Sequence, residues 1–375
     1  MTRMISRIEK LKPVKNAGRV DAFLITSPSS IKYFSGYFFY FEYGASPFHL
    51  LPAILMVAPD QDSGLILADN EMGQSSSVDP AIRLIPYESY TFEAPPNPAA
   101  ACITKLCEFI DRNRLGSARI GIEQRTLPFV ISKSLQELYP SLEWVDVSPG
   151  IDQCKLVKDA DEIAFIRQAS ALADIGQQAV LKYARAGMRE LELFALAQRD
   201  IETAGGYRVP LMSDLSSGMG TNSGGGMPTN KIIESGDLIL SDFQPCLQGY
   251  WGDSCNTMAV GSPTAEQKKT FVRVREALEI GIGAIKPGVQ ARTVDRLMRD
   301  HIGNYPHHSG HSVGTAYHES PRITPYNNME LKPGMLVALE PAIYKEEYGI
   351  RLEHLMLVTP GGCEVLTKFQ HRFEQ

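Results

Sequence analysis

Two short phrases in this sequence place carboxylates where carboxylates are costly. Gly236-Asp-Leu-Ile-Leu-Ser-Asp242 reads as an apolar strand that ends on an acid, and Asp253 follows eleven positions later, beyond a polar turn at Gln248-Gly249-Tyr250. Gly334-Met-Leu-Val-Ala-Leu-Glu340 repeats the phrase, and Glu353 follows thirteen positions on. In both copies the acid stands six residues after the glycine. An isolated ionised carboxylate is expensive to desolvate, so a buried strand has no reason to end on an unpaired one. Four such acids that meet need a counter-charge, and a pair of divalent cations supplies it. Between the two acidic hairpins lie four histidines, in His307-His-Ser-Gly-His311 and at His318. The plain alternative for any one of them is a structural hydrogen bond, but His311, flanked by Gly310 and Gly314, is placed to be a strand-borne imidazole ligand. A mostly oxygen site with one imidazole suits manganese first, with cobalt, zinc or iron as alternatives. Two ions about 3.5–4 Å apart would hold a water or hydroxide whose pKa falls towards ~7 and would polarise a carbonyl. The expected chemistry is metal-dependent hydrolysis of an amide.

Elements that could carry these residues are legible around them. Asp159 with Glu162 opens a helix in the manner of a capping box, with Ile163, Ile166, Ala169, Ala173 and Val180 on one face. A second helix follows Gly187, with Leu191, Phe194 and Ile201, and stops at Gly205-Gly206. Thr264 with Gln267 opens a third, and a fourth follows Pro287-Gly288, with Val294, Leu297 and Ile302. The rhythm of two helices and then strands therefore occurs twice, about 100 residues apart, and an internal duplication would bring the acids of both halves to a pseudo-twofold axis. The glycine-rich stretch Ser216–Pro228 lacks the strand–loop–helix setting of a phosphate cradle and reads as a loop of the active site.

The first part of the chain reads as a smaller α/β domain, with strands at Asp21–Thr26, Leu51–Val57, Leu65–Leu67, Ile120–Glu123 and Trp144–Val147 and a helix over Ala100–Asn113. Residues 1–155 and 156–375 are the expected domains. Eight of the eleven residues from Tyr33 to Tyr43 are aromatic. They read either as an aromatic wall for substrate, through Tyr37 and Tyr40, or as a buried strand with its loop.

Composition excludes some classes. Hydrophobic residues make up 43% and charged residues 21% of the 375, which is enough for a sizeable core. A net charge of −6 argues against nucleic acid or an anionic membrane as partner. No apolar run approaches the length of a membrane span, and the N-terminus has no signal-peptide core. Six scattered cysteines without a CxxC pair fit free thiols in the cytoplasm.

The ordered set Asp242, Asp253, His311, Glu340 and Glu353 resembles that of the pita-bread metallopeptidases: aminopeptidase P, prolidase, methionine aminopeptidase and creatinase. Ser309-Gly-His-Ser-Val-Gly314, His318-Glu-Ser-Pro321, Leu339-Glu-Pro341 and Gly349-Ile-Arg-Leu-Glu353 are similar to the family's histidine and glutamate segments. Arg7-Ile-Glu-Lys-Leu11 and Ser30–Gly36 are similar to the N-terminal domain of the prolidase and creatinase branch. The resemblance implies an α+β protein, with a pita-bread domain of pseudo-twofold internal duplication behind a smaller α/β domain. It also implies a homodimer acting on a dipeptide or other small molecule. Asp242, Asp253, His311, Glu340 and Glu353 would be the metal ligands, with Asp253 and Glu353 shared between ions. Glu340 would also accept the proton of the attacking water, and His318 would contact the substrate carbonyl. Arg351 would hold a ligand carboxylate, and His307 would line the substrate pocket.

The sequence departs from that family around the substrate. Gly225 stands where the prolidase branch usually has a histidine, Cys255-Asn256 replace a Thr-Arg pair, His354 replaces a common Asp, and Ala342 a common Gly. The expected activity is therefore Xaa-Pro peptidase-like. The alternative is a creatinase-like C–N hydrolysis or a lyase reaction on a small metabolite, and a non-catalytic binding module is a more distant one.

Overall fold

The computed structural model describes residues 7–38, 50–58 and 62–374. The chain divides into two compact units, Met1–Lys155 and Leu156–Gln375. Among the described residues no helix is long and apolar enough to cross a membrane.

The first unit runs α1 (Leu11–Gly18), β1 (Ala22–Ile25), α2 (Pro28–Ser35), β2 (Ile54–Ala58), β3 (Asp62–Ala68), β4 (Arg83–Tyr87), α3 (Pro98–Arg112), β5 (Arg119–Ile122), α4 (Phe129–Leu138), β6 (Glu143–Asp146) and α5 (Ser148–Lys155). Its six strands form one sheet in the order β4-β3-β2-β1-β5-β6. The period-two alternation of a strand is visible in what each face buries. Ala22, Leu24, Ile54, Met56 and Ile66 pack in one core with Leu106 and Phe109 of α3 and Leu135 of α4. Phe23, Ile25, Leu55, Val57 and Leu65 pack in the other with Leu11 of α1, Ile31 and Phe34 of α2 and Ile151 of α5.

The aromatic segment corrects the expectation of a strand. Pro28 sits at the start of α2, and Gly36 closes that helix in the left-handed region with φ +80°. Proline in the first turn and glycine just past the end are the ordinary signals of a short helix, and they outweigh the β preference of the aromatics. Tyr33, Phe34 and Tyr37 are buried in this unit's core.

The second unit contains α6 (Ala160–Tyr183), α7 (Glu190–Gly205), β7 (Leu211–Ser217), β8 (Leu238–Leu247), β9 (Tyr250–Trp251), β10 (Ser254–Ala259), α8 (Ala265–Ala284), α9 (Ala291–Ile302), β11 (Gly310–Ser312), β12 (Glu319–Ile323), β13 (Leu336–Leu339), β14 (Ala342–Tyr344), β15 (Gly349–Arg351), β16 (His354–Thr359) and β17 (Gly362–Val365). The Asp159 amide donates to Glu162 Oε2 (2.9 Å) at the start of α6, and Thr264 and Gln267 cap α8 reciprocally (2.8 and 3.1 Å). One sheet runs β10-β8-β7 with β9 beside β8, a second runs β12-β11-β13-β16-β17, and β14 pairs with β15 as a separate ribbon.

The duplication is explicit in the backbone. The Gly187 amide donates to Ile233 O and that of Gly288 to Leu331 O, while the Gly236 amide donates to Val260 O and that of Gly334 to Val358 O. All four glycines have positive φ, between 84° and 99°, so each copy makes the same turns at the same places.

Strand alternation then sets the site. Ile239 and Phe243 of β8 face the core built on α6 and α7, whereas Asp242 belongs to the opposite face. Val337 and Leu339 of β13 face the core built on α8 and α9, whereas Glu340 continues the other set. Each sheet thus turns its apolar face to its own helix pair and its acids away from it.

Candidate metal centre

The two halves are joined at the acids. The Glu353 amide donates to Cys255 O (2.9 Å), the Thr257 hydroxyl donates to Arg351 O (2.9 Å), and the Arg351 amide returns to Thr257 Oγ1 (3.1 Å). This seam runs β10 of the first half beside Arg351 and Glu353 of the second. Asp253, one residue before β10, is completely buried, and Asp242, His311, Glu340 and Glu353 are nearly so. On the other side, the Glu340 amide donates to Ser309 O (3.0 Å) and His311 pairs with Ala338 across β11 and β13.

The five residues come together. His311 Nε2 lies 3.4 Å from Asp253 Oδ2, 3.6 Å from Glu340 Oε1 and 3.9 Å from Glu353 Oε1. Ligand atoms of Asp253, His311 and Glu353 all lie within 4.8 Å of one another. His311 Nδ1 faces Ser312 O at 2.9 Å, and since a carbonyl only accepts, Nδ1 carries the proton. The Nε2 lone pair therefore points at the carboxylates. Burial drives the His311 pKa down to about 4, so protonation does not resolve this meeting of a lone pair with anions at neutral pH.

Both oxygens of Asp253 and Oε1 of Glu353 are buried with no hydrogen-bond partner among the described residues. Burial and the neighbouring acids push both carboxyls well above the usual range. Asp242 is pushed up to about 7, chiefly by burial, even though Arg351 opposes the shift. At Glu340 burial acts in the same direction but is outweighed by the hydrogen bond from His308, then by His311 and Arg351, which hold it at about 2. Orphaned carboxylate oxygens around an imidazole lone pair fit a divalent cation, with Asp253, His311, Glu353 and Glu340 able to hold it and Asp242 beside them.

Around this cluster lies a pocket of about 700 Å³. Arg351 forms its clamp: Nη2 donates to Asp242 Oδ2 (2.6 Å), Nη1 donates to Gly224 O, and Nε faces Cys255 Sγ (3.4 Å). The glycine-rich stretch therefore ends at the clamp, after a 3₁₀ turn over Gly218–Ser223, with no α-helix to complete a phosphate cradle. His307 Nδ1 donates to His308 O (2.7 Å), so its Nε2 accepts from the Tyr344 hydroxyl (2.9 Å). Arg299 Nη2 holds His307 O (2.7 Å), and His307 lines the pocket. His318 is exposed on the pocket wall, its ring 4.2 Å from that of His311.

Tyr37 is buried in the first unit's core, with its hydroxyl donating to Glu71 Oε2 (3.3 Å). Tyr40 lies outside the described residues. Four pocket residues escaped sequence reasoning. His308 Nε2 reaches Glu340 Oε1 (3.0 Å) and Gln244 Nε2 donates to Asp242 Oδ1 (3.1 Å). The others are Tyr344 and Asp214. Gln244 was recoverable as the second residue after Asp242 on a strand, hence on the same face; His308 was one member of a histidine run. Of the departures, Asn256 Nδ2 donates to Arg372 O (3.1 Å) and His354 Nδ1 bonds Thr367 Oγ1 (2.8 Å), so both serve the scaffold behind the acids.

Comparison with known proteins follows this geometry. Residues 164–360 match metallopeptidase family M24 and residues 7–157 match the creatinase/prolidase N-terminal domain. An uncharacterised peptidase of Bacillus subtilis, YqhT, is 31% identical over 259 residues, covering 67% of this chain and 73% of that one. The Xaa-Pro dipeptidase of Pyrococcus furiosus is 28% identical over 372 residues, covering 97% and 98%. Among solved structures, an Xaa-Pro dipeptidase from Bacillus anthracis superposes with TM-score 0.84 at 26% identity, covering 98% of both chains. The prolidase of Pyrococcus horikoshii OT3 does so with TM-score 0.82 at 26%, covering 98% and 99%. With an N-terminal domain of the creatinase/prolidase type and a duplicated acidic cradle behind it, this chain belongs to the pita-bread metallopeptidases of family M24.

Proposed function

We propose that the chain is a dinuclear metal-dependent peptidase of Xaa-Pro type, acting on the amide bond of a dipeptide or similarly small substrate. The observation that carries this reading is the set of orphaned buried oxygens on Asp253 and Glu353 around His311. Asp242, Asp253, His311, Glu340 and Glu353 are assigned as ligands, with Asp253 and Glu353 shared. Two divalent ions, manganese first, would supply an acidified water and polarise the scissile carbonyl.

The chain's own groups do the rest. Glu340, kept ionised by His308 beside the cluster, is assigned to accept the proton of the attacking water. His318, on the wall beside His311, offers its ring N–H towards the substrate carbonyl. Arg351 fixes Asp242 and keeps the loop at Gly224 against it. His307, held by Tyr344 and Arg299, forms part of the substrate wall. Dipeptidase names among full-length relatives support the small substrate. A homodimer in the cytoplasm completes the reading, with residues 1–155 as the creatinase/prolidase-like domain and 156–375 as the catalytic one.

The test is metal reconstitution followed by a panel of Xaa-Pro dipeptides. Near two equivalents of bound ion and turnover abolished by chelation are expected; turnover indifferent to chelation overturns the reading. A second reading, C–N hydrolysis or elimination on a non-peptide metabolite, is favoured by Gly225, which places no side chain beside Asp214. Absence of turnover on every Xaa-Pro dipeptide, together with turnover of small cyclic or guanidino amides, would select it.

A further inference from the structure

We propose that Asp214 is the specificity residue of this pocket and receives a protonated nitrogen of the substrate. The proposal rests on the peptidase reading above and refines its substrate class. Asp214 pairs directly with Asp242 across β7 and β8, so both side chains belong to the same face. Its carboxylate lines the pocket with 38% of the side chain exposed. The nearest cation, Arg351 Nη2, stands 3.7 Å from Asp214 Oδ2 but 2.6 Å from Asp242 Oδ2. Arg351 also serves Gly224 O and Cys255, so its charge is directed mainly elsewhere. No other arginine or lysine lines the pocket among the described residues. Leu191, Phe194, Leu211, Met227 and Pro228 make the adjoining wall apolar, and an apolar wall strengthens a charge pair formed against it.

Gly225 supplies the second observation. A Cβ at this position would lie 2.3 Å from Asp214 Oδ2, and the backbone there has φ +126°. A side chain at 225 would therefore have to displace the Asp214 carboxylate from its present position. The absence of a side chain at 225 thus leaves the Asp214 carboxylate its present place on the pocket wall.

Two sources of ammonium fit this chemistry: the free α-amine of a dipeptide and a basic side chain. Lysyl-proline, norleucyl-proline and N-acetyl-norleucyl-proline separate them. The first pair differs in a side-chain charge and the second in the α-ammonium. We expect Asp214→Asn, which preserves shape, to reduce at least one of the two pairwise kcat/KM ratios tenfold or more, with the metal content of the protein unchanged. A fall in the first ratio assigns the side chain, and a fall in the second assigns the amine. Equal loss on all three substrates, or unchanged ratios, overturns the proposal. If metal-loaded wild type turns over none of them, the peptidase reading fails on its own. The same ratios are then read as dissociation constants by calorimetry, where their collapse in Asp214→Asn still supports the proposal. Unchanged ratios, or no binding at all, still overturn it.

Discussion

Stripping the protein of metal should widen its stability deficit against the loaded form as pH rises, and the acids of the centre set the size of the effect. Without a cation among them, Asp242 rises from an ordinary 3.8 to about 7, mainly through burial, and burial and the neighbouring acids also push Asp253 and Glu353 well above their ordinary values. A carboxyl whose folded pKa is raised contributes its stability below the unfolded pKa, and that contribution is lost as pH climbs through the folded value. The window for Asp242 thus opens near pH 4 and is largely traversed by pH 7. A rise of about three units at about 1.4 kcal/mol each is a loss on the order of 4 kcal/mol from this group. For a unit of this size, each kcal/mol moves the melting midpoint by about 2–4 °C, so roughly 10 °C is at stake. Bound cations replace the protons and cancel the penalty. The assay is scanning fluorimetry of metal-free and manganese-loaded protein from pH 4 to 8, with calorimetry in buffers of different ionisation enthalpy to count protons released on loading. The midpoints should diverge by about that amount as pH increases, and loading near pH 6.5 should release protons. A gap that is constant or narrows with pH, or loading without proton release, refutes the reasoning.

Other expectations follow from single contacts. Arg351→Met leaves Asp242 buried without its 2.6 Å partner, and breaking a buried pair costs about 3–5 kcal/mol, readable in urea unfolding of the metal-loaded protein. Glu340→Gln removes the ionised group and a ligand oxygen; kcat should drop by about 10²–10⁴-fold while the far-ultraviolet spectrum stays that of the wild type. Gly225→Ala forces a Cβ into contact with Asp214 and strains a positive-φ backbone, so its midpoint should fall, and adding Asp214→Ala should restore part of the loss. Lack of any such rescue would show that the backbone conformation, rather than the carboxylate, sets the cost.

The catalytic half was readable because its signals are local and repeated. Asp159 with Glu162 and Thr264 with Gln267 announce helix starts through side-chain chemistry, and Gly236 and Gly334 each precede an acid by the same interval. Acids at the ends of apolar strands have few rival explanations. What stayed hidden depends on pairing between strands. Asp214 reads as an unremarked polar residue until β7 is registered against β8, which puts it opposite Asp242. Tyr344 is one more aromatic until it meets His307 across a gap of 37 residues. In the first unit, Tyr33–Tyr37 misled because aromatic richness outweighed Pro28 and Gly36 in the reading, whereas the chain follows the punctuation. The helices over Phe129–Leu138 and Ser148–Lys155 and the strand over Arg83–Tyr87 span ten, eight and five residues, too short to repeat a pattern often enough to stand out.

The seam where Cys255 and Thr257 meet Arg351 and Glu353 makes ion capacity a product of assembly. Neither repeat owns a complete nest of ligands; each contributes a portion that is inert alone. His371 Nε2 donates to the Glu353 carbonyl (3.1 Å), so the backbone of that residue is held from outside its own hairpin. If the proposed ligands are right, the first repeat alone lacks three of the five and should hold manganese far more weakly than the whole chain.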